Sequence, residues 1–212
     1  LSREAYTAGG TNTLPGTLLF AEGGSSADVA AQAAYDNAGD TYAFYQGVFG
    51  RDSFNDAGAL IRSSVHVGVD LNNAFWNGVQ MAYGDGNGVT FVPLSRSLDV
   101  VAHEITHAVT QFTAGLIYQN ESGALNEALS DILGVSATVF AGGGGTPDAN
   151  TWLLGEDVFT PAIGGDALRY LNDPVTDTRS FDYYPTRYTG ANDNGGVHVN
   201  SGIANLAFYL MV

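Results

Sequence analysis

Apolar residues recur along the first half of the chain with a helical spacing that begins just after Ser26–Asp28. Ser and Asp at these positions favour a helix start, because their side chains can accept hydrogen bonds from the first free backbone N–H groups. The apolar positions lie three or four residues apart: Ala31, Ala34, Tyr35, Ala38, Tyr42, Tyr45 and Phe49. We therefore predict a helix with a buried aromatic stripe that Gly39 interrupts.

The rest of the first half has patterns typical of strands. Leu18–Phe20 predicts an edge strand, and Leu60–Val69 alternates and is rich in β-branched residues. The apolar runs 79–83 and 89–92 flank the turn-forming sequence Gly84–Gly88, which predicts a β-hairpin.

The second half returns to helical spacing. One helix is predicted from Ser97, which can cap it, to Gly115, which can end it. A second begins near Ser122, and a third begins near Asn200 and reaches Val212 without a stop signal. The pattern therefore predicts an α+β fold, with a β-rich N-terminal lobe that carries one helix, residues 1–97, and a helical C-terminal lobe, residues 98–212.

Composition excludes several classes of site. The 212 residues include no cysteine, so disulfides, thiolate zinc sites and thiol nucleophiles are absent. The net charge is −15 and all seven basic residues are arginine, which argues against nucleic acid as a partner. No stretch is long and apolar enough to predict a membrane span. The acidic surface predicts adaptation to salt, with an ordinary acidic secreted protein as the alternative.

The second half carries a metal-binding pattern. His103 and His107 lie at i and i+4 on a predicted helix, so both rings project from one face, with Glu104 beside them. On the next helix Glu127 and Asp131 also share a face, and either could bind the metal while the other orients a histidine. The alternative is that these two acids lie on a solvent-exposed helix face. The leucines around them argue against full exposure.

These residues resemble the thermolysin-like zinc metallopeptidases, whose pattern is HExxH followed about twenty residues later by a glutamate ligand. Further segments resemble that family in the same order: Asn73–Gly78, Val100–Thr110, Ala114–Ala124 and Asp193–His198. The resemblance is strong from about residue 60 onward and faint before residue 27. It implies that the active-site helix lies between the two lobes. It also implies that the helical lobe is incomplete, because the family's catalytic domain continues beyond the His198 segment; a fragment and a shortened relative are the two alternatives.

The resemblance also assigns a metal and its chemistry. The implied zinc ligands are His103, His107 and Glu127. Glu104 is the implied general base for the attacking water. Asp131 is expected to orient His103, with Asn126 as a candidate for His107.

Other positions are matched to substrate and oxyanion contacts. Tyr118 and His198 are expected to donate hydrogen bonds to the oxyanion, with Asp193 fixing the tautomer of His198. The residues implied to hold the substrate backbone are Asn73, Ala74 and Arg169. The alternatives are a core aromatic for Tyr118, a loop-capping histidine for His198 and a plain ion-pair partner for Arg169. His66 matches no ligand position and is interpreted as structural.

Calcium is the point at which this sequence departs from the resemblance. Asp99, Glu156 and Asp157 match the family's calcium ligands, with Asp148 as a helper, but Thr138 replaces a shared acid. Two divalent cations side by side need bridging carboxylates, and calcium takes six to eight oxygens. We therefore expect at most one Ca²⁺ here.

Together these patterns and the family resemblance predict a secreted, monomeric zinc endopeptidase that acts on proteins or peptides. The resemblance implies cleavage before an apolar residue, with the S1′ pocket near Leu168. The first alternative is a catalytically silent zinc- or peptide-binding fragment of such an enzyme. The second is a calcium-stabilised structural or adhesive module, which leaves the zinc pattern unexplained.

Overall fold

A five-stranded mixed sheet forms the N-terminal part of the fold in a computed structural model that describes residues 1–212. Its strands are β1 Arg3–Thr7, β2 Thr17–Ala21, β3 Ile61–Val65, β4 Ala74–Trp76 and β5 Met81–Tyr83. They are ordered β2-β1-β3-β5-β4, with β1, β3 and β5 parallel to one another and both edge strands antiparallel. The edge strand expected at Leu18–Phe20 is confirmed as β2. A small separate ribbon pairs β6, Leu153–Leu154, with β7, Arg169–Tyr170.

Four helices complete the fold: α1 Val29–Phe49, α2 Leu98–Gln111, α3 Asn120–Ala141 and α4 Asp193–Tyr209. The prediction for α1 is confirmed, because Asp28 Oδ1 accepts hydrogen bonds from the N–H groups of Ala30 and Ala31 at 3.0 and 3.1 Å. Gly39 lies inside this helix without ending it. No helix combines the length and the apolar character that a membrane crossing requires.

The largest hydrophobic core joins the sheet, α1 and α2. It contains Tyr45 from α1, Met81 from β5 and Ile105 from α2, all of them buried. An α+β fold with a sheet-containing N-terminal part and a helical C-terminal part is therefore confirmed. This core contains residues from both sides of position 97, so α2 is fixed against the sheet. The division of the chain into two lobes at position 97 stays a prediction.

The hairpin predicted around Gly84–Gly88 is wrong. Strand β5 pairs with β4 on one side and β3 on the other, so no edge of β5 is left for residues 89–92. Gly86, at a φ of 69°, instead lets the chain turn back closely against the backbone of Phe91. Phe91 makes only an isolated bridge to Phe159.

Helix ends also differ from the predictions. Helix α2 ends at Gln111 rather than Gly115, and the hydroxyl of Ser97 donates to Asp99 instead of capping the helix. Helix α4 opens at Asp193 with a left-handed turn, since 194–196 have positive φ values, and regular helical geometry follows only after Gly196, still before the predicted Asn200. The side chain of His198 is therefore carried by a helix.

Helices α2 and α3 approach each other closely at Gly134. A Cβ at this position would lie 2.8 Å from the backbone oxygen of Asp99. Only glycine permits this separation without a shift of one helix. The contact brings the two preceding turns of α3, which carry Glu127 and Asp131, against the histidine face of α2.

Candidate active site

Two histidines face the same way on α2. His103 and His107 are one helical turn apart, and their Nε2 atoms lie 3.0 Å from each other. His103 is 6% exposed, and its ring is perpendicular to that of His107. The predicted pair is thus formed on a helix that the core holds rigidly.

Glu127 on α3 completes a group of three ligands. Its Oε2 lies 3.5 Å from His103 Nε2, and its Oε1 lies 3.3 Å from His107 Nε2. Tetrahedral zinc with bonds of about 2.0–2.1 Å separates its ligands by about 3.3 Å, so these distances fit the ion. Glu127 Oε2 is also buried without a hydrogen-bond partner, which leaves a free acceptor directed at the same point. Of the acidic and histidine side chains, these three bring ligand atoms within 4.8 Å of one another.

The charges of this group stabilise one another. Burial raises the pKa of Glu127, but its interactions with the neighbouring histidines, His103 first, outweigh burial and hold that pKa well below its ordinary value. Burial likewise lowers the pKa of His107, yet its hydrogen bond to Glu127 and the charge of that carboxylate raise the pKa to about 9. Glu127 is therefore ionised at the centre of the group, where its negative charge favours a cation.

The remaining nitrogen of each histidine is held by the next helix. His107 Nδ1 lies 2.8 Å from Asn126 Oδ1 and 3.2 Å from the hydroxyl of Ser130. His103 Nδ1 lies 2.9 Å from Asp131 Oδ1, an ion-pair distance without the angle of a hydrogen bond. Asn126 and Asp131 thus lie beside the histidines that they are expected to orient, and these roles stay predictions. Ser130 was missed because a serine on a helix carries no metal-site signal.

Asp131 itself is anchored from two further elements. Arg169 on β7 donates through Nε and Nη2 at 2.8 and 2.6 Å, and Asn205 on α4 donates through Nδ2 at 2.8 Å. Burial raises the pKa of Asp131, but Arg169 and His103 outweigh this effect and keep the pKa below its ordinary value. Asn205 was not found from the sequence, because it belongs to no recognisable motif.

Tyr118 and His198 both contact the ligand group at Glu127. The hydroxyl of Tyr118 lies 3.2 Å from His198 Nε2 and also makes a short hydrogen bond to Glu127. Asp193 holds His198 at Nδ1 at 2.5 Å and accepts from its backbone N–H at 2.9 Å. Tyr118 is 38% exposed, so the alternative of a buried core aromatic does not describe it.

Glu104 lies in the wall between two cavities that meet at the ligand group. Asn73 and Ala74, at the start of β4, line both of them. One cavity, of about 280 Å³, contains Arg169 and an apolar wall made of Phe91, Leu94, Val100, Leu154 and Leu168. The other, of about 540 Å³, runs past Trp76 and Tyr118. The two cavities together form a cleft that passes over Glu104.

The residues matched to calcium lie together away from this cleft. Asp99, Asp148, Glu156 and Asp157 line a cavity of about 310 Å³ beside Thr138. Asp99 accepts from Ser97, Val100 and Gly155, so its oxygens already have partners within the chain. Burial and the charge of Asp99 raise the pKa of Glu156 to about 7. The expectation of at most one Ca²⁺ stays a prediction.

Comparison with protein families identifies this site. The profile described as the thermolysin metallopeptidase catalytic domain matches residues 5–111, and the profile described as the thermolysin metallopeptidase alpha-helical domain matches residues 114–212. The chain belongs to the thermolysin metallopeptidase family. Zinc is therefore its expected metal, and the three ligands described above fit it.

Similar proteins include named members of the same family. A bacillolysin of Brevibacillus brevis is 53% identical over 98% of this chain, and a thermolysin of Alicyclobacillus acidocaldarius subsp. acidocaldarius is 53% identical over 97%. The chain spans 37% and 38% of the length of these relatives. Among solved structures, the precursor of protealysin, a metalloproteinase from Serratia proteamaculans, superposes with a TM-score of 0.89 at 40% identity. That match covers 99% of this chain and 68% of the other.

Proposed function

We propose that this thermolysin-family chain is a zinc endopeptidase. The observation that carries the proposal is the placement of Glu104: it follows ligand His103 directly, yet lies in the wall of the open cleft. A carboxylate beside the metal but outside the ligand group is placed to move a proton rather than to bind the ion. This arrangement suits hydrolysis of a bond that lies along the cleft.

Zinc, when bound, polarises the peptide carbonyl and makes water a better nucleophile. Glu104 takes the proton of the attacking water and delivers it to the departing amine. Tyr118 and His198 stabilise the oxyanion that develops on the substrate, while Asp193 holds the ring of His198 so that Nε2 points into the cleft. Each step uses a side chain that borders the same space.

The substrate is proposed to bind as an extended strand. Asn73 and Ala74 lie at the start of edge strand β4 and can align the substrate backbone. Arg169 lies in the apolar-walled cavity, where a guanidinium can hold the carbonyl just after the scissile bond. Leu168 and the apolar residues around it favour an apolar side chain at that position.

The proposal extends to the cellular setting. We propose a secreted, monomeric enzyme with an acidic, salt-adapted surface that acts on proteins or peptides and not on nucleic acids or membranes. The alternative is a chain that binds zinc or peptide without turnover, and only a cleavage measurement separates the two.

The test compares Glu104→Gln with the parent chain. We expect both to hold one zinc per chain by metal analysis, whereas cleavage of a peptide with Leu after the scissile bond falls by about 10²-fold or more, since the general base is removed and the ligands are not. Glu121→Gln, at an exposed glutamate on α3, is the matched control and keeps parental activity. Zinc binding by the parent without cleavage would support the silent alternative, and retention of more than about a tenth of the activity in Glu104→Gln would exclude Glu104 as the base.

A further inference from the structure

We propose that Asn205 is a positioning residue for the zinc site: it holds the carboxylate of Asp131 in the orientation in which that carboxylate contacts His103. Asn205 touches neither the metal ligands nor the cleft, and it acts only through Asp131. The inference rests on zinc binding by His103, His107 and Glu127, and not on peptide turnover.

The contacts on Asp131 are divided evenly between its two oxygens. Oδ1 faces His103 Nδ1 at 2.9 Å and Arg169 Nη2 at 2.6 Å. Oδ2 accepts from Arg169 Nε and from Asn205 Nδ2, both at 2.8 Å. Arg169 approaches from one side as a fork, and Asn205 is the second donor that fixes the rotation of the carboxylate.

Without Asn205, the fork of Arg169 is the only direct donor left on Oδ2. The carboxylate is then free to turn toward the guanidinium, and Oδ1 moves away from His103. Partners of this kind orient a ligating imidazole, and their loss typically weakens metal binding by about 10–100-fold. Asn205 therefore contributes to zinc affinity from a position two contacts away from the ion.

The buried amide is not explained by packing alone. Asn205 is 1% exposed, and its Oδ1 has no hydrogen-bond partner. A purely structural position of this kind would favour an apolar side chain, because a buried unsatisfied oxygen is unfavourable. The opposite orientation of the amide would place two oxygens 2.8 Å apart against anionic Asp131, so the donor orientation is the stable one.

The position of Asn205 on α4 has a second consequence. The same helix carries His198, two turns earlier, next to the cleft. Asn205 thus links the helix of the expected oxyanion donor to the histidine on α2 through a single carboxylate on α3.

The test measures the zinc dissociation constant of the metal-depleted chain by competition with a chromophoric chelator, with no substrate present. Asn205→Asp keeps the shape of the side chain but replaces the donor with a negative charge, and Asn205→Leu keeps the branched shape in a somewhat larger side chain without a donor. Asn200→Leu is the matched control, since Asn200 is also buried on α4 but bonds only the backbone of Tyr188. Thermal melting of each metal-free variant establishes that it is folded.

We expect zinc to bind about tenfold more weakly in Asn205→Leu and more weakly still in Asn205→Asp, with Asn200→Leu within about threefold of the parent. Parental affinity in the two folded Asn205 variants would overturn the proposal. An equal loss in Asn200→Leu would also overturn it, because the effect would then come from general loosening of α4. Since no peptide is cleaved in this assay, the result is independent of whether the chain is an active peptidase.

Discussion

Asp28 caps the N-terminus of α1 and contacts a histidine whose charge depends on pH. This histidine is His66, whose Nε2 lies 2.8 Å from Asp28 Oδ2 and whose Nδ1 lies 2.7 Å from Asp85 Oδ2. A neutral imidazole has only one N–H donor, so both contacts are hydrogen bonds only when His66 is protonated. Burial lowers the pKa of His66, but Asp85 and Asp28 outweigh this effect and raise the pKa above its ordinary value.

The sign of the pH dependence follows from that raised pKa. The stabilisation is fully present below the unfolded-state pKa of about 6.5 and is lost as pH rises through the higher folded-state value. Removing the charge with Asp28→Asn leaves an N-cap oxygen in place, so it costs only the partly exposed ion pair, about 0.2–1 kcal/mol. Asp28→Ala also removes the two cap hydrogen bonds, which adds about 1 kcal/mol.

Thermal unfolding at two pH values checks this reasoning. For a chain of this size about 1 kcal/mol corresponds to about 2–4 °C in Tm, so at about pH 6 we expect Asp28→Asn to melt about 0.4–4 °C lower and Asp28→Ala about 2–8 °C lower. At about pH 9 the deficit of Asp28→Asn should shrink while Asp28→Ala keeps its cap loss. Asp36→Asn, an exposed change further along α1, controls for net charge. The reasoning is refuted if the Asp28→Asn deficit is the same at both pH values.

Three further predictions concern the site and the surface. His198→Ala should lower kcat by about 10²-fold with little change in KM, as expected for a donor to the developing oxyanion; a change confined to KM would instead indicate ground-state binding. The melting temperature should rise between low salt and about 1 M salt, where the Debye length falls to about 3 Å and screens the repulsion within a chain of net charge −15. A melting temperature that stays constant or falls over this range of salt would remove the argument for salt adaptation. Metal analysis should find at most one tightly held calcium per chain near Asp99 and Glu156, and two would contradict the expected ligand count.

The local parts of the site could be predicted because they depend on helix geometry alone. The spacing of His103 and His107 places both on one face of any α-helix. The choice of Glu127 over Asp131 as ligand rested on family resemblance, because both share a face of α3. In the fold the two differ: Asp131 is occupied by Arg169 and Asn205, whereas Glu127 keeps an unpartnered oxygen.

Other features could not be predicted, because they depend on residues distant in the chain. The antiparallel partner of β5 is β4, a strand of three residues that is too short to produce a recognisable alternation. The start of α4 was misplaced because Gly195 and Gly196, which usually signal a loop, form a left-handed turn that leads directly into the helix. No sequence pattern indicates the contact of Asn205 with Asp131, since the two residues lie on different helices.

The close approach at Gly134 means that the size of the metal site is set by a backbone contact lying outside it. Glu127 and Asp131 lie on the two turns of α3 that precede this glycine, so the distance between α2 and α3 at Gly134 governs how far the carboxylates stand from the histidines. A single methyl group there would meet the backbone oxygen of Asp99 at 2.8 Å and act as a wedge between the helices. The zinc ligands could then all be present in the sequence and still stand too far apart to share one ion.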